Sequence, residues 1–215
     1  MKIVVHFLFL IALAFTPFTA NAVVVNFDNV AAGSNLVGNL LIGSGVSFTT
    51  GTIPNAVAVG DTITLSSPDP HFDIFGNADA ISPPNFAVAH SGGFNDLLIS
   101  FTLPVTFVSV TSDDSPQEAA DVIRLLALAP TGSPNQFMVL ALDSKSDNAV
   151  SAPANLLSVT LGGPSFSFAL FQTTTEQEGF DDLTFVPVPE PATLLLLLSG
   201  LGGLAALRHT RRQKS

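Results

Sequence analysis

The side chains best suited to chemistry in this chain are oxygen donors. Asp69, Pro70, His71, Phe72 and Asp73 are consecutive, with Asn77 and Asp79 close behind. Hard carboxylate oxygens gathered in one loop suit Ca²⁺, which fills its coordination shell with oxygen ligands. Asp69 and Asp73 are the candidate ligands of that loop, although the spacing departs from an EF-hand and no Glu closes it. A second set joins the ends of the chain. Asp28 follows the first apolar run and Asp181 and Asp182 lie in the last, so pairing of those two strands brings Asp28 to Asp181 or Asp182. The competing reading of both sets is solvated loop carboxylates and turn-capping Asx side chains, which leaves no resident cofactor.

Hydrolytic chemistry has less to draw on. There is no Cys nucleophile, and His71 and His90 are the histidines away from the two ends. A Ser/His/Asp triad has to use one of them. Ser91-Gly92-Gly93 follows His90, but no Gly-x-Ser-x-Gly elbow lies near either. Asp113-Asp114 and Asp181-Asp182 offer paired carboxylates of the kind glycosidases use. Neighbours on a strand point to opposite faces, however, so neither pair shares a site directly. Tyr and Trp, the usual sugar-stacking platforms, are absent. The body is therefore expected to be non-enzymatic. Arg124, in an apolar run, is expected to pair with a carboxylate at a sheet edge, with a binding role as the alternative.

The elements that must position these residues read as strands. Short runs rich in Val, Ile, Phe and Thr are separated by Gly, Pro, Asn and Asp. Twelve strands are expected, at 23–27, 45–50, 56–59, 62–66, 86–90, 96–103, 105–111, 122–129, 136–142, 155–161, 165–171 and 180–186. Leu97, Ile99, Phe101 and Leu103 face one way while Ser100 and Thr102 face the other, and Leu183 and Phe185 oppose Asp182 and Thr184. In the same way Phe166, Phe168 and Leu170 oppose Ser165, Ser167 and Ala169. Gly60-Asp61 and Gly162-Gly163-Pro164 break runs, and 130–135 reads as a hairpin loop. Pro104 cannot donate to a ladder and marks a corner or an edge. Sustained helical periodicity is missing from the body. The fold class is all-β: a single jelly-roll-like antiparallel β-sandwich over 23–186.

Composition bounds the partners. All seventeen acidic residues lie between Asp28 and Glu190, and only Arg124 and Lys145 oppose them there, so that stretch is near −15. A phosphate backbone needs a basic face, so nucleic acid is an unsuitable partner. With no cysteine, packing alone must hold the body, and eighteen Phe supply all the aromatic content of the chain, more than two-thirds of them in the body.

The ends carry sorting information. Lys2, an apolar stretch over 3–15 and the small-x-small pattern Ala20-Asn21-Ala22 make a secretory signal peptide over 1–22, cut after Ala22 by signal peptidase. At the other end, Pro189-Glu190-Pro191 precedes an apolar helix over 192–207. Its sixteen residues span about 24 Å, short of a ~30 Å hydrocarbon core but able to cross a thinned bilayer. Pro191 suits a first helical turn. Arg208, Arg211, Arg212 and Lys214 then stay on the cytoplasmic side by the positive-inside rule, which leaves the body outside.

Pro189-Glu190-Pro191, followed at once by Ala192-Thr193-Leu194, a Leu/Gly helix and an Arg cluster, closely resembles the PEP-CTERM sorting signal of exopolysaccharide-producing Gram-negative bacteria. The resemblance covers 187–212, with His209 and Thr210 interrupting the usual arginine run. It implies recognition by an exosortase, transient residence in the inner membrane, and removal of the helix near Pro189–Pro191. The product is then a cell-surface or extracellular β-sandwich associated with exopolysaccharide or biofilm. The body, from Phe27-Asp28-Asn29 to 179–185, is similar to the sandwiches found in many such proteins. The alternatives are a Ca²⁺-dependent carbohydrate-binding module, a polysaccharide-acting hydrolase and, for the tail, a plain single-pass anchor.

Overall fold

A computed structural model describes residues 20–27, 33–37, 45–76, 85–89, 96–113, 122–146, 155–174, 179–188 and Gly200. Residues Asn21–Val188 form one compact unit, and Met1–Ala20 and Pro189–Ser215 fall outside it. Among the described residues, thirteen strands join in one antiparallel sheet: β1 (Val23–Val25), β2 (Gly33–Val37), β3 (Val46–Thr52), β4 (Thr62–Thr64), β5 (Ser66–Asp69), β6 (His71–Gly76), β7 (Asn85–Ala89), β8 (Asp96–Asp113), β9 (Val122–Pro130), β10 (Gln136–Ser146), β11 (Asn155–Thr160), β12 (Phe166–Thr173) and β13 (Gly179–Pro187). The all-β expectation holds.

The long strand β8 organises the sheet. Its first half pairs with β3 and β12, and its second half pairs with β11 and β13. From the first half the ladder continues through β12 to β9, β10 and β4. From the second it continues through β13 to β7, β6 and β2. Pro104 lies between the halves. It gives no ladder N–H, but its carbonyl accepts a 2.8 Å bond from the Val188 amide. The strand turns from one set of neighbours to the other at this position, the corner its sequence marked.

The main core lies between the two halves. Leu97, Ile99, Leu125, Ala169 and Phe171 come from one half and Phe72, Ile74, Val110, Phe180 and Leu183 from the other. Phe48 packs on Phe72 at 5.0 Å and on Phe27 at 6.0 Å, and Phe180 meets Phe27 at 5.8 Å and Phe171 at 5.3 Å. Tilted and edge-on rings at these spacings suit the aromatic quadrupole, and phenylalanine fills the centre of a chain that has no cysteine.

A second, smaller core covers the outer face of the first half. Leu98, Leu126, Leu128 and Leu170 point away from the main core and pack under Ile53, Ile63 and Leu65, with Val57 against them. β9 is thus buried on both faces over Leu125–Leu128, which explains the continuous apolar run Leu125-Leu-Ala-Leu128. The segment 53–65 crosses this face as a strap. Residues 56–59, expected as a strand, have no ladder partner and form part of the strap.

Candidate functional site

The expected oxygen donors fall at different places on the sheet. Asp69 ends β5, which pairs with β3 on one half of the sheet, whereas Asp73 lies within β6 on the other. The Asp-Pro-His-Phe-Asp stretch is therefore two strands meeting at Pro70, not one loop. At that corner the His71 amide donates to Asp69 Oδ1 at 3.1 Å, and His71 Nδ1 lies 2.5 Å from the same oxygen. Phe72 and Ile74 enter the main core, so Asp73 occupies the opposite face of β6, where it is fully buried.

Asp181 is also fully buried, in β13. A bulge between Asp181 and Thr184 interrupts the register with β8. Asp182, at φ 48°, supplies the extra residue, and its amide donates to Asp181 Oδ1 at 2.8 Å. The bulge lets Phe180 and Leu183 both enter the core while Asp181 takes the outer face. The first and last strands pair as the sequence reading supposed, with Val25 opposite Leu183. Asp28, Asn77, Asp79, His90 and Asp114 lie outside the described residues. Among the described residues, no three His, Asp or Glu side chains are grouped to hold a metal ion.

The most elaborate polar arrangement is one the sequence reading did not assemble. Asp96, Arg124 and Gln172 lie on neighbouring strands β8, β9 and β12, all on the face that carries the second core. Asp96 Oδ2 accepts the Ile53 amide at 2.7 Å. Arg124 Nη1 donates to the Asn55 carbonyl at 2.7 Å and to Gln172 Oε1 at 3.0 Å. Gln172 Nε2 donates to the Pro54 carbonyl at 3.1 Å, and Asn55 Nδ2 to the Thr174 carbonyl at 3.4 Å. Three side chains thus clasp the backbone of residues 53–55. Arg124 sits on an interior strand, not at a sheet edge, and its hydrogen-bond partners here are a carbonyl and an amide. Asp96 is buried, and desolvation pushes its carboxyl up to about 7, against the lowering effects of the Ile53 amide, the Arg124 charge and the Thr173 backbone.

The sorting elements flank the body. Ala20 and Ala22, the expected signal-cleavage residues, are exposed. β13 runs to Pro187, and the bond from Val188 to the Pro104 carbonyl is the body's last described anchor. Pro189, Glu190, Pro191, Arg208, Arg211, Arg212 and the 192–207 helix lie outside the described residues, apart from Gly200, which is helical and exposed. Among the described residues no helix is long and apolar enough to cross a membrane.

Comparison with known proteins bears on this end of the chain. Residues 187–212 match the family model of the PEP-CTERM protein-sorting motif. The chain thus carries a terminal sorting signal on an antiparallel β body, and the signal is of the PEP-CTERM class. That motif implies exosortase-dependent export, with exosortase as the processing partner and a membrane-anchored precursor processed to the cell surface. No curated protein matches the chain. Among solved structures the body is similar to the K2 cleaved adhesin domain of Lys-gingipain, at 11% identity and a TM-score of 0.46, over 77% of this chain and 99% of that one.

Proposed function

We propose that this chain is a non-enzymatic structural protein of the bacterial surface or extracellular matrix. In this reading a jelly-roll-like sandwich over 23–186 is exported behind the signal peptide 1–22. The 192–207 helix holds the precursor in the inner membrane with Arg208, Arg211 and Arg212 inside. Exosortase then cuts near Pro189–Pro191, and the body associates with exopolysaccharide or biofilm at or beyond the cell surface.

The observation that carries the reading is where the sorting motif begins. Its first matched residue, Pro187, is also the last residue of β13. The matched segment therefore begins where the sheet ends, so cleavage near Pro189–Pro191 leaves all of β13 with the body. A structural role also accords with the composition. Packing of Phe, Leu, Ile and Val holds the body together without disulfides, and its strong negative charge keeps the exported surface solvated.

Protease shaving of intact cells tests the reading. The body is expected to be accessible from outside, and protection in intact cells with digestion only after lysis would contradict display at the cell surface. Calorimetry with Ca²⁺ and a glycan panel tests the structural role. No heat and no thermal shift are expected, whereas saturable Ca²⁺-dependent glycan binding lost in Asp73→Asn or Asp181→Asn would instead support the carbohydrate-binding reading.

A further inference from the structure

We infer that the Pro104 corner of the body is its lipid-facing end, the surface that seats on the headgroup layer of a bilayer while the tail is still attached. This rests on the membrane-anchored precursor proposed above and adds which end of the body meets the membrane. Several strand ends converge at the corner. β8 turns there, with Leu103 43% exposed and Pro104 exposed beside it. β11 and β12 follow one side of β8 and are joined by the loop 161–165, which is exposed from Gly162 onward. β13 ends on the other side, with Pro187 opposite Val105, and the Val188 amide is tied to the Pro104 carbonyl at 2.8 Å. On the outer face Phe107 and Val186 lie opposite each other, both half-buried. β1 starts close by, with Val23 opposite Phe185. The first strand after Ala22 and the last strand before the sorting motif thus reach the same end of the body.

Charge is distributed along the strands so that this end has none. The segments 21–27, 45–60, 97–112, 155–173 and 183–188 contain no Asp, Glu, Lys or Arg. The charged residues of the described strands align with the opposite end. Asp69 is level with Leu97 through Thr50, and Asp143 is level with Leu97 through Leu125 and Phe171. Asp73 is level with Asp113 through Val88 and Gly179, and Asp181 lies opposite Thr111. Asp61, in the strap, comes nearest to the corner: its carbonyl bonds the Val139 amide, and Val139 aligns through Leu128 and Phe168 with Ser100. A charged side chain pressed against lipid loses its water, and a carboxylate is repelled by anionic headgroups. The Pro104 corner avoids both costs, whereas the far end of the strands meets both.

The tail sets the distance. Four chain steps separate Val188 from Ala192, where the apolar run begins, and they reach at most about 14 Å. The headgroup layer on each side of a bilayer takes up about 5–8 Å of that. A run shorter than the hydrocarbon core draws its own start inward and shortens the reach further. The tether therefore holds the corner at the headgroups, and the charge distribution turns the acidic end away from them.

Site-specific fluorescence quenching tests this, because a chain without cysteine accepts single labels. The full chain is reconstituted without exosortase in vesicles of phosphatidylcholine and phosphatidylglycerol, with a fluorophore on Thr102→Cys, Ser165→Cys, Ser146→Cys or Ser199→Cys. Thr102 and Ser165 are exposed at the corner, and Ser146 is exposed at the far end of β10. Nitroxide on the lipid headgroups is expected to quench the labels at 102 and 165 severalfold more than the label at 146. Nitroxide on the acyl chains should quench the label at 199. A label at 199 that escapes acyl-chain quenching removes the membrane-anchored reading, and this inference with it. Quenching at 199 together with headgroup quenching at 146 that equals or exceeds that at 102 and 165 overturns the inference alone. So does corner quenching that appears only once exosortase is added, which marks a protein contact. Leu103→Asp places a charge at an exposed corner position and should lower quenching at 165 severalfold in these anionic vesicles. Unchanged quenching at 165 in that variant would show that the tether alone keeps the corner near, and would overturn the seating.

Discussion

Gly51 has no side chain where Leu65 comes to rest. A Cβ at this position would lie 2.6 Å from Leu65 Cγ and 2.9 Å from the Ser66 carbonyl oxygen. The Leu65 side chain can shift, but the backbone oxygen resists. Gly51→Ala is therefore expected to destabilise the protein by about 1–3 kcal/mol through overpacking, measured by the denaturant midpoint. Asp96 sets a second residue-scale expectation. Its folded-state pKa lies above its ordinary value, so its contribution is fully present below pH 3.8 and is lost as pH rises through about 7. Relative to the wild type, Asp96→Asn should gain stability as pH rises from about 5 to about 8. A constant difference between the two across that range would contradict the assignment. In the sequence, Arg124 stands out as the one Arg of the body, but its partners Asn55 and Gln172 are 69 and 48 residues away. No local pattern announces such a cluster. Asp96 gives no signal either, since a single Asp at the start of an apolar run reads as a turn residue.

At the scale of elements, alternation is a good guide where both neighbours are regular. Leu97, Ile99 and Phe101 share the main core as their spacing indicates, and the 130–135 loop closes a hairpin between β9 and β10 with Asn135 at φ 54°. Bulges defeat the same reasoning. A register shift between Phe166 and Phe168 sends Phe166 to the main core and Phe168 with Leu170 to the second one, so the three do not share a face. Leu103, beside the Pro104 corner, is 43% exposed. β6 is hidden in the sequence because Asp-Pro-His-Phe-Asp looks like a loop until the neighbouring strands supply its ladder. β13 ties these elements together, since it pairs with β1, β7 and β8. Its Phe180 is wholly buried among Phe27, Phe48 and Phe171. Phe180→Ala is expected to cost about 3–5 kcal/mol, read from chemical denaturation. A loss below about 1 kcal/mol would show that the site collapses around the smaller side chain.

At the scale of the whole molecule, the sequence is most explicit at its carboxyl end. A Pro-Glu-Pro tripeptide, an apolar run and an arginine cluster carry their meaning in linear order, so no fold is needed to recognise them. The body is the reverse case. Its strands are legible, but the strand order, with β8 serving both halves, depends on contacts between distant segments. The candidate donors show the same limit: Asp69 and Asp73 are near neighbours in the chain, yet they sit on different halves of the sheet.

The central claim is that the carboxyl end is a temporary membrane handle removed from a folded body. Intact-mass measurement of the protein recovered from cells with and without an active exosortase tests it most directly. The account predicts a mature product that ends near Pro189–Pro191, and a longer precursor that retains 194–207 when the exosortase is inactive. A product that keeps 194–207 in both strains would contradict it and leave a plain anchor in its place.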